Sequence, residues 1–394
     1  MSKQFEQLLD RTTNGSMKWE ASYIEKRFGL CKEEQEKIYP LFIADMDYPM
    51  DPKIHQELLK KMQDPDFGYY HIQENFYESI QHWYAKTQGK QVKREWLLAS
   101  IGTITTLNIL CDQYARNKKI AMLTPVYGSF QNCSKVGETI MIPLKLKEMR
   151  YVMDMTRIEK AFAEEGVKVL LFCNPHNPSG RCWEKEELKQ LVALCKQYDV
   201  LLLSDEIHSD IQVSEQPFVS LMEFFDTYDR IVISTSPNKT FNISALCTSY
   251  LICANAQILK EYQAYLDRLH LSCNRMGIEM CTLVYEHGYD WLTKLNENIK
   301  ENIALVEGIL GQTDMKVMMP DRGYLVWIYL PNVHDVDVFV RKLAKTTHVL
   351  IETGSRFLDQ YQGWIRVNTA TSKELLKEAM YLLKDFYLEY KEER

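Results

Sequence analysis

Between about residue 97 and residue 253 the chain alternates short apolar runs with longer amphipathic stretches. The runs are Ile120–Thr124, Lys168–Cys173, Val200–Ser204, Arg230–Thr235 and Thr248–Cys253. Several are closed by a polar or proline-bearing turn. Ile104–Asn117 and Glu184–Tyr198 between them carry apolar residues at helical spacing. Strand, helix, strand at this interval restricts the chain to a mostly parallel sheet covered by helices on both faces. Apolar runs of this length are far too short to cross a bilayer and suit buried parallel strands.

The pattern changes after about residue 285. A long helical stretch, Trp291–Leu310, leads to short strands at Lys316–Met319, Tyr324–Tyr329, Val349–Glu352 and Trp364–Val367, with helices near 335–346 and 373–391. Earlier helices are expected at 51–63 and 74–88. The expected fold class is therefore α/β: a large domain over 49–285 and a smaller α+β domain over 286–394, with residues 1–48 packed on the smaller one. A length of 394 residues fits two such units.

Charge and cysteine usage exclude several classes. The net charge of −7 gives no electrostatic support for nucleic-acid binding, and no polybasic run addresses a membrane surface. The N-terminus lacks the apolar stretch of a signal peptide. The ten cysteines form no C-x-x-C pair and several sit in apolar runs, so they read as reduced core thiols of a cytoplasmic protein without a metal site. Neither G-x-G-x-x-G nor G-x-x-x-x-G-K-[ST] occurs, which argues against a nucleotide-binding α/β protein.

In open α/β sheets ligands sit beyond the carboxyl ends of the strands. Three of those ends read Asn174-Pro-His-Asn-Pro-Ser-Gly180, Ser204-Asp-Glu-Ile-His208 and Ser236-Pro-Asn-Lys-Thr-Phe-Asn242. Each alone is ordinary turn or cap chemistry. Together they supply an amide, an acid and a lysine at consecutive strand ends, which is what pyridoxal 5′-phosphate (PLP) chemistry needs. A lysine amine forms an imine with the aldehyde. A carboxylate keeps the pyridine nitrogen protonated so that the ring can act as an electron sink. A neutral donor faces the phenolic oxygen. Backbone N–H groups at a helix start hold the phosphate, and Ser100-Ile-Gly-Thr-Ile-Thr105 is a candidate, with Gly102 allowing close approach and Thr103 and Ile104 offering N–H groups.

These three motifs resemble the class I/II aminotransferase superfamily, the fold-type I PLP enzymes, and most of all its C–S lyase branch, the cystathionine β-lyases of the MalY/PatB type. Ala44-Asp-Met-Asp47, Phe67-Gly-Tyr69, Thr124-Pro-Val-Tyr127, Tyr324-Leu-Val-Trp327 and Arg366-Val-Asn368 fit that branch, and the resemblance runs from about residue 10 to 390. It implies that Lys239 is the Schiff-base lysine and the proton shuttle at Cα, and that Asp205 pairs with the pyridinium nitrogen. Asn177 would donate to the phenolic oxygen, His208 would lie near that oxygen, and Tyr127 would stack on the ring. Thr103, Ile104 and Ser236 would bind the phosphate. Tyr69 would reach the phosphate of a neighbouring subunit, which implies a homodimer with shared active sites. Arg366 would clamp the substrate α-carboxylate bidentately.

Departures from the branch pattern are Asn238 before the lysine, Gly128-Ser129 after the stacking tyrosine, Glu215-Gln-Pro-Phe218 without the histidine common before that proline, Arg322-Gly323 before Tyr324, and Thr371-Ser372. Several flank the substrate pocket, and none touches the Lys239, Asp205, Asn177 and Arg366 set. The expected reaction is β-elimination from cystathionine or a cysteine S-conjugate. Aminotransfer shares its first steps, and a regulatory protein retaining the PLP fold is an alternative from a different class. His55, His71, His82 and His348 lack metal-ligand spacing, and Trp83, Trp96, Trp183 and Trp291 read as packing residues.

Overall fold

The computed structural model describes residues 5–359 and 361–390. Fourteen strands are assigned among them: β1 (Tyr39–Leu41), β2 (Leu97–Ser100), β3 (Lys119–Thr124), β4 (Glu138–Pro143), β5 (Lys145–Lys147), β6 (Arg150–Val152), β7 (Val167–Cys173), β8 (Leu201–Asp205), β9 (Ile231–Thr235), β10 (Ser249–Ile252), β11 (Lys316–Met318), β12 (Leu325–Tyr329), β13 (Val349–Thr353) and β14 (Trp364–Asn368).

Seven of these form a large sheet in the order β2-β10-β9-β8-β7-β3-β4. Only β10 runs antiparallel to its neighbours, and the pairs from β9 to β4 are all parallel. Every residue of β8 and β9 is buried, because parallel strands joined by crossover helices are covered on both faces. The helix Lys185–Gln197 shows how a cover is made: Leu188, Leu191, Val192 and Cys195 recur at three- and four-residue steps and are buried, and Glu184 and Glu187 close a reciprocal cap at its start.

Five strands form a second sheet in the order β1-β13-β14-β12-β11, antiparallel except for β1 on β13. Its first strand comes from the N-terminal segment, so residues 39–41 are built into a sheet whose other strands lie beyond residue 315. On this smaller sheet Trp327 and Trp364 stack at 5.3 Å, with Tyr151 tilted against Trp364 at 6.1 Å. Among the described residues no helix is long and apolar enough to cross a membrane.

The expected helices and strands appear within two residues of their sequence bounds. The last helix is Lys373–Glu389, and residue 391 lies outside the described residues. Other elements carried no sequence signal. The helix Arg275–His287 is buried at eight of thirteen positions, including the consecutive run Met280–Tyr285, so no one-sided stripe marks it. The β5–β6 hairpin turns through Glu148 and Met149, both at positive φ (47° and 59°), where asparagine or glycine is the usual signal.

A glycine couples the loop after β7 to the segment before β12. Gly180 has φ +69°, and its carbonyl accepts from the N–H groups of Asp321 and Arg322, both at 3.0 Å. A Cβ there would lie 2.4 Å from Pro320 Cβ and 2.7 Å from the Arg322 carbonyl oxygen. Gly180→Ala combines left-handed strain with this collision. It is expected to lower the unfolding free energy by about 2 kcal/mol, read as a reduced urea midpoint at unchanged slope.

Candidate active site

Because β9, β8 and β7 are consecutive in the large sheet, the residues that follow them converge beyond one sheet edge. Asn177 follows β7, Asp205 ends β8 and Lys239 follows β9. With His208, Asn238 and the start of the helix Thr103–Ala115, they line an inner chamber of about 280 Å³. Ala44, Tyr127, Lys239 and Arg366 are shared with an adjoining outer chamber of about 510 Å³.

The helix Thr103–Ala115 presents an uncapped start to the inner chamber. Gly102 holds φ +139°, a conformation that glycine tolerates best, and donates its N–H to Ser249 Oγ at 2.8 Å. The first N–H bonded within this helix is that of Thr106, to the Gly102 carbonyl at 2.9 Å. No side chain caps the preceding N–H groups, so those of Thr103, Ile104 and Thr105 remain for an anion.

Burial sets the electrostatics. Asp205 is buried and accepts one hydrogen bond, from the Ile207 N–H at 3.2 Å. Loss of hydration pushes its carboxyl up to about 6, against the opposing effects of that bond and of Lys239. Burial brings the Lys239 ammonium down to about 8; Asp45 and Asp205 oppose the shift and Arg366 adds to it. His208 is held neutral, its pKa lowered to about 3 by burial and then by Lys239 and Arg366. The neighbouring Glu206 is pushed up to about 7 by burial, and is held by Ser220 Oγ at 2.7 Å and the Leu221 N–H at 3.0 Å.

Lys239 is fixed from outside the sheet by residues 43–47. Its Nζ donates to the Ala44 carbonyl at 2.8 Å. That loop is tied at every step. Arg11 makes two bonds to Asp45, at 2.6 and 2.7 Å, and Lys18 is fully buried against Asp47 at 2.8 Å. Asn242 exchanges two bonds with the Met46 backbone, at 3.0 and 2.9 Å, and Asn368 Nδ2 donates to the carbonyls of Ile43 and Asp45, both at 2.6 Å. Sequence reasoning missed Arg11, Lys18 and Asn242; only the position of Asn242 three residues after Lys239 offered a signal.

Arg366, on β14, is buried on the opposite side. Nη1 donates to Asn177 Oδ1 at 3.0 Å and Nη2 to the Phe42 carbonyl at 3.3 Å, while the guanidinium lies 4.8 Å from the centre of the Phe357 ring. Another unanticipated residue is His176, which is buried. Its Nε2 sits 2.8 Å from the Pro125 carbonyl and must carry the proton, which leaves Nδ1 to accept from Ser179 Oγ at 2.7 Å. It joins the loop after β7 to the turn that bears Tyr127.

Two of the expected residues do not reach the chambers within one chain. Tyr69 is fully exposed, on a loop pinned from below by Arg275, which contacts the Asp66 carbonyl and bonds Asp64 at 2.9 Å. Ser236 is buried, donates its hydroxyl proton to the Thr248 carbonyl at 2.6 Å and accepts from the Asn238 N–H at 3.1 Å, so that proton is not offered to a phosphate. The departures also find physical reasons. A Cβ on Gly128 would lie 2.3 Å from the Arg356 carbonyl oxygen. Arg322 donates to the Ser209 carbonyl at 2.9 Å, and Ser372 caps the final helix through the Leu375 N–H at 3.3 Å.

The inner chamber suits PLP. A buried, under-bonded carboxylate lies among its walls together with an uncapped helix start, a half-buried amine and the half-exposed ring of Tyr127. Two polar atoms of its lining, Asn238 Oδ1 and Arg366 Nε, are buried without a partner among the described residues, a capacity that a polar ligand can use.

Comparison with known proteins gives a consistent picture. Residues 43–382 match the model of a family described as aminotransferase class I and II. Cystathionine beta-lyase PatB of Bacillus subtilis is 29% identical over 96% of this chain and 98% of its own. A PLP-bound protein of Clostridium difficile 630, provisionally described as an aminotransferase, superposes with a TM-score of 0.90 at 29% identity, covering 97% of this chain and 99% of its own. The PLP-bound C–S lyase of Staphylococcus hominis gives a TM-score of 0.89 at 27% identity, covering 98% of both chains.

The depressed pKa of His208 has a consequence for stability. The unfolded chain binds a proton at this side chain below about pH 6.5 that the folded chain does not bind until about pH 3, so stability falls as pH drops through 6.5. At the pH 5 end of a series from pH 7 to pH 5, this one group contributes a loss approaching 1.4 kcal/mol per pH unit. Denaturant unfolding across that series should give a shallower decline in His208→Gln than in the parent; parallel curves would contradict the assignment.

Proposed function

The chain belongs to the aminotransferase class I and II family, and on that footing we propose that it is a PLP-dependent carbon–sulfur β-lyase, which cleaves cystathionine or a related cysteine S-conjugate to pyruvate, ammonia and a thiol. The observation that carries this reading is the half-buried Lys239 amine, bonded to the Ala44 carbonyl and held at a lowered pKa among Asp205, Asp45 and Arg366. Names among the relatives and structural neighbours, cystathionine beta-lyase and C–S lyase, support the reaction class.

Each residue has a task that follows from its surroundings. Lys239 would hold the cofactor covalently, and Asp205 would keep its ring nitrogen protonated, since a cation against this carboxylate offsets its burial. The helix start at Thr103 and Ile104 would take the phosphate, together with the Asn238 amide. Asn177 and His208 would serve the phenolic oxygen, and Tyr127 the ring. Arg366 takes the substrate α-carboxylate through a guanidinium already oriented by Asn177 and Phe42, so little side-chain entropy is lost on binding.

When bound, the cofactor withdraws electrons from the substrate Cα and so weakens its C–H bond. With the α-carboxylate pinned, Lys239 accepts that α-proton. Its amine is suited to the role because a pKa of about 8 leaves a useful neutral fraction near neutrality. Loss of the β-thiolate follows, since sulfur is a good leaving group, and hydrolysis releases pyruvate and ammonia. Exposed Phe67 and Tyr69 on their pinned loop support a homodimer in which Tyr69 completes the partner's phosphate site.

Purified protein given L-cystathionine without any keto acid is expected to form pyruvate and thiol in equal amounts; turnover only when a keto acid is supplied would mark an aminotransferase instead. Lys239→Ala should lose the visible absorbance of the bound cofactor. Arg366→Ala should lower kcat/KM about 100-fold, the size expected for a paired charge-assisted contact. If active sites are shared, mixing inactive Lys239→Ala with inactive Tyr69→Ala should restore about a quarter of parent activity through hybrid dimers with one intact site. No recovery after verified subunit exchange would place Tyr69 in its own chain's site.

A further inference from the structure

The outer chamber carries one more positive charge than the chemistry above uses. Arg27, Lys239, Arg356, Arg366 and Glu352 are its charged lining residues. Arg27 is spent on Glu352: the two form a mostly buried ion pair, and Arg27 Nη1 also donates to Tyr23 OH at 3.1 Å. Lys239 and Arg366 are assigned to the cofactor, the α-proton and the α-carboxylate. Arg356 has no ion pair or hydrogen bond from its side chain among the described residues.

Its position is nevertheless defined. The Val126 N–H donates to the Phe357 carbonyl at 3.0 Å, and the Arg356 carbonyl approaches Gly128 so closely that any Cβ there would collide with it. The backbone bearing Arg356 is thus locked against the turn bearing Tyr127, which borders both chambers. Arg356, exposed at its side chain, thus lines a chamber of about 510 Å³ that shares Ala44, Tyr127, Lys239 and Arg366 with the inner one, on the side away from the helix start at Thr103.

We infer that Arg356 is a specificity residue that binds a second carboxylate, carried on the leaving group of the substrate. This rests on the reading that the α-carboxylate sits on Arg366. The preferred substrates are S-conjugates whose thiol is itself an amino acid or another carboxylate-bearing thiol, over those with small neutral S-alkyl groups. Glycine at position 128 is what allows the wall carrying Arg356 to close on the Tyr127 turn.

The test reads binding rather than turnover. Calorimetric titration of the PLP-loaded protein compares L-2-aminoadipate, which has a second carboxylate, with L-norleucine, which has a methyl group in its place. The parent is expected to prefer L-2-aminoadipate at least about 10-fold, in line with one charge-assisted contact. Arg356→Gln should bring the ratio close to one, and Arg356→Lys should restore part of it. A parent ratio near one, or an unchanged ratio in Arg356→Gln, overturns the inference. The ratio does not depend on elimination, so a parent that discriminates but yields no pyruvate from L-cystathionine sinks the lyase reading and leaves the subsite standing.

Discussion

The structure is organised around lowering the proton affinity of one amine. A lysine in water is protonated and neither attacks a carbonyl carbon nor accepts a proton. Lys239 escapes that state because the strand ends, residues 43–47 and β14 close over it. The closure costs free energy, since backbone carbonyls and several charges are taken out of water with it. The network that offsets this cost is extensive: Arg11 and Lys18 neutralise Asp45 and Asp47, while Asn242 and Asn368 satisfy the backbone between them. A buried pair such as Lys18 with Asp47 adds little net stability by itself. It does fix where the chain must pass.

A division of labour between the sheets follows. The large sheet supplies groups whose positions are set by buried parallel strands: Asn177, Asp205 and Lys239. The smaller sheet supplies Arg366 and, through β13 and the turn after it, Glu352 and Arg356. The three residues proposed to serve the cofactor thus end or follow largely buried parallel strands, while Arg366, Glu352 and Arg356 stand on or beside the other sheet, across a contact made by short backbone approaches at Gly128 and Gly180.

Sequence reading recovered the parts governed by local rules. Alternation of apolar runs with helical stretches gave the large sheet, and strand ends gave Asn177, Asp205 and Lys239, because topology requires ligands to sit there. Arg366 and Tyr127 came through resemblance alone. Arg11 and Lys18 were illegible, since an arginine or lysine in a polar N-terminal segment looks solvated until its partner is placed beside it in space. Arg356 was passed over for the same reason. His176 lay inside a motif already singled out, yet its hydrogen bond to Pro125, 51 residues away, left no local trace.

The loop over Lys239 draws on residues from both ends of the chain: Arg11 and Lys18 near the start, Asn242 in the middle and Asn368 near the end. During synthesis, therefore, the lysine can be made and the large sheet assembled while the amine remains open to water. The edge strand β2 likewise waits for β10, some 150 residues later, before it has a partner. The enclosure of Lys239 is therefore complete only once Arg366 and Asn368 on β14 are in place against residues 42–45, which makes the finished site a property of the whole chain rather than of the large sheet alone.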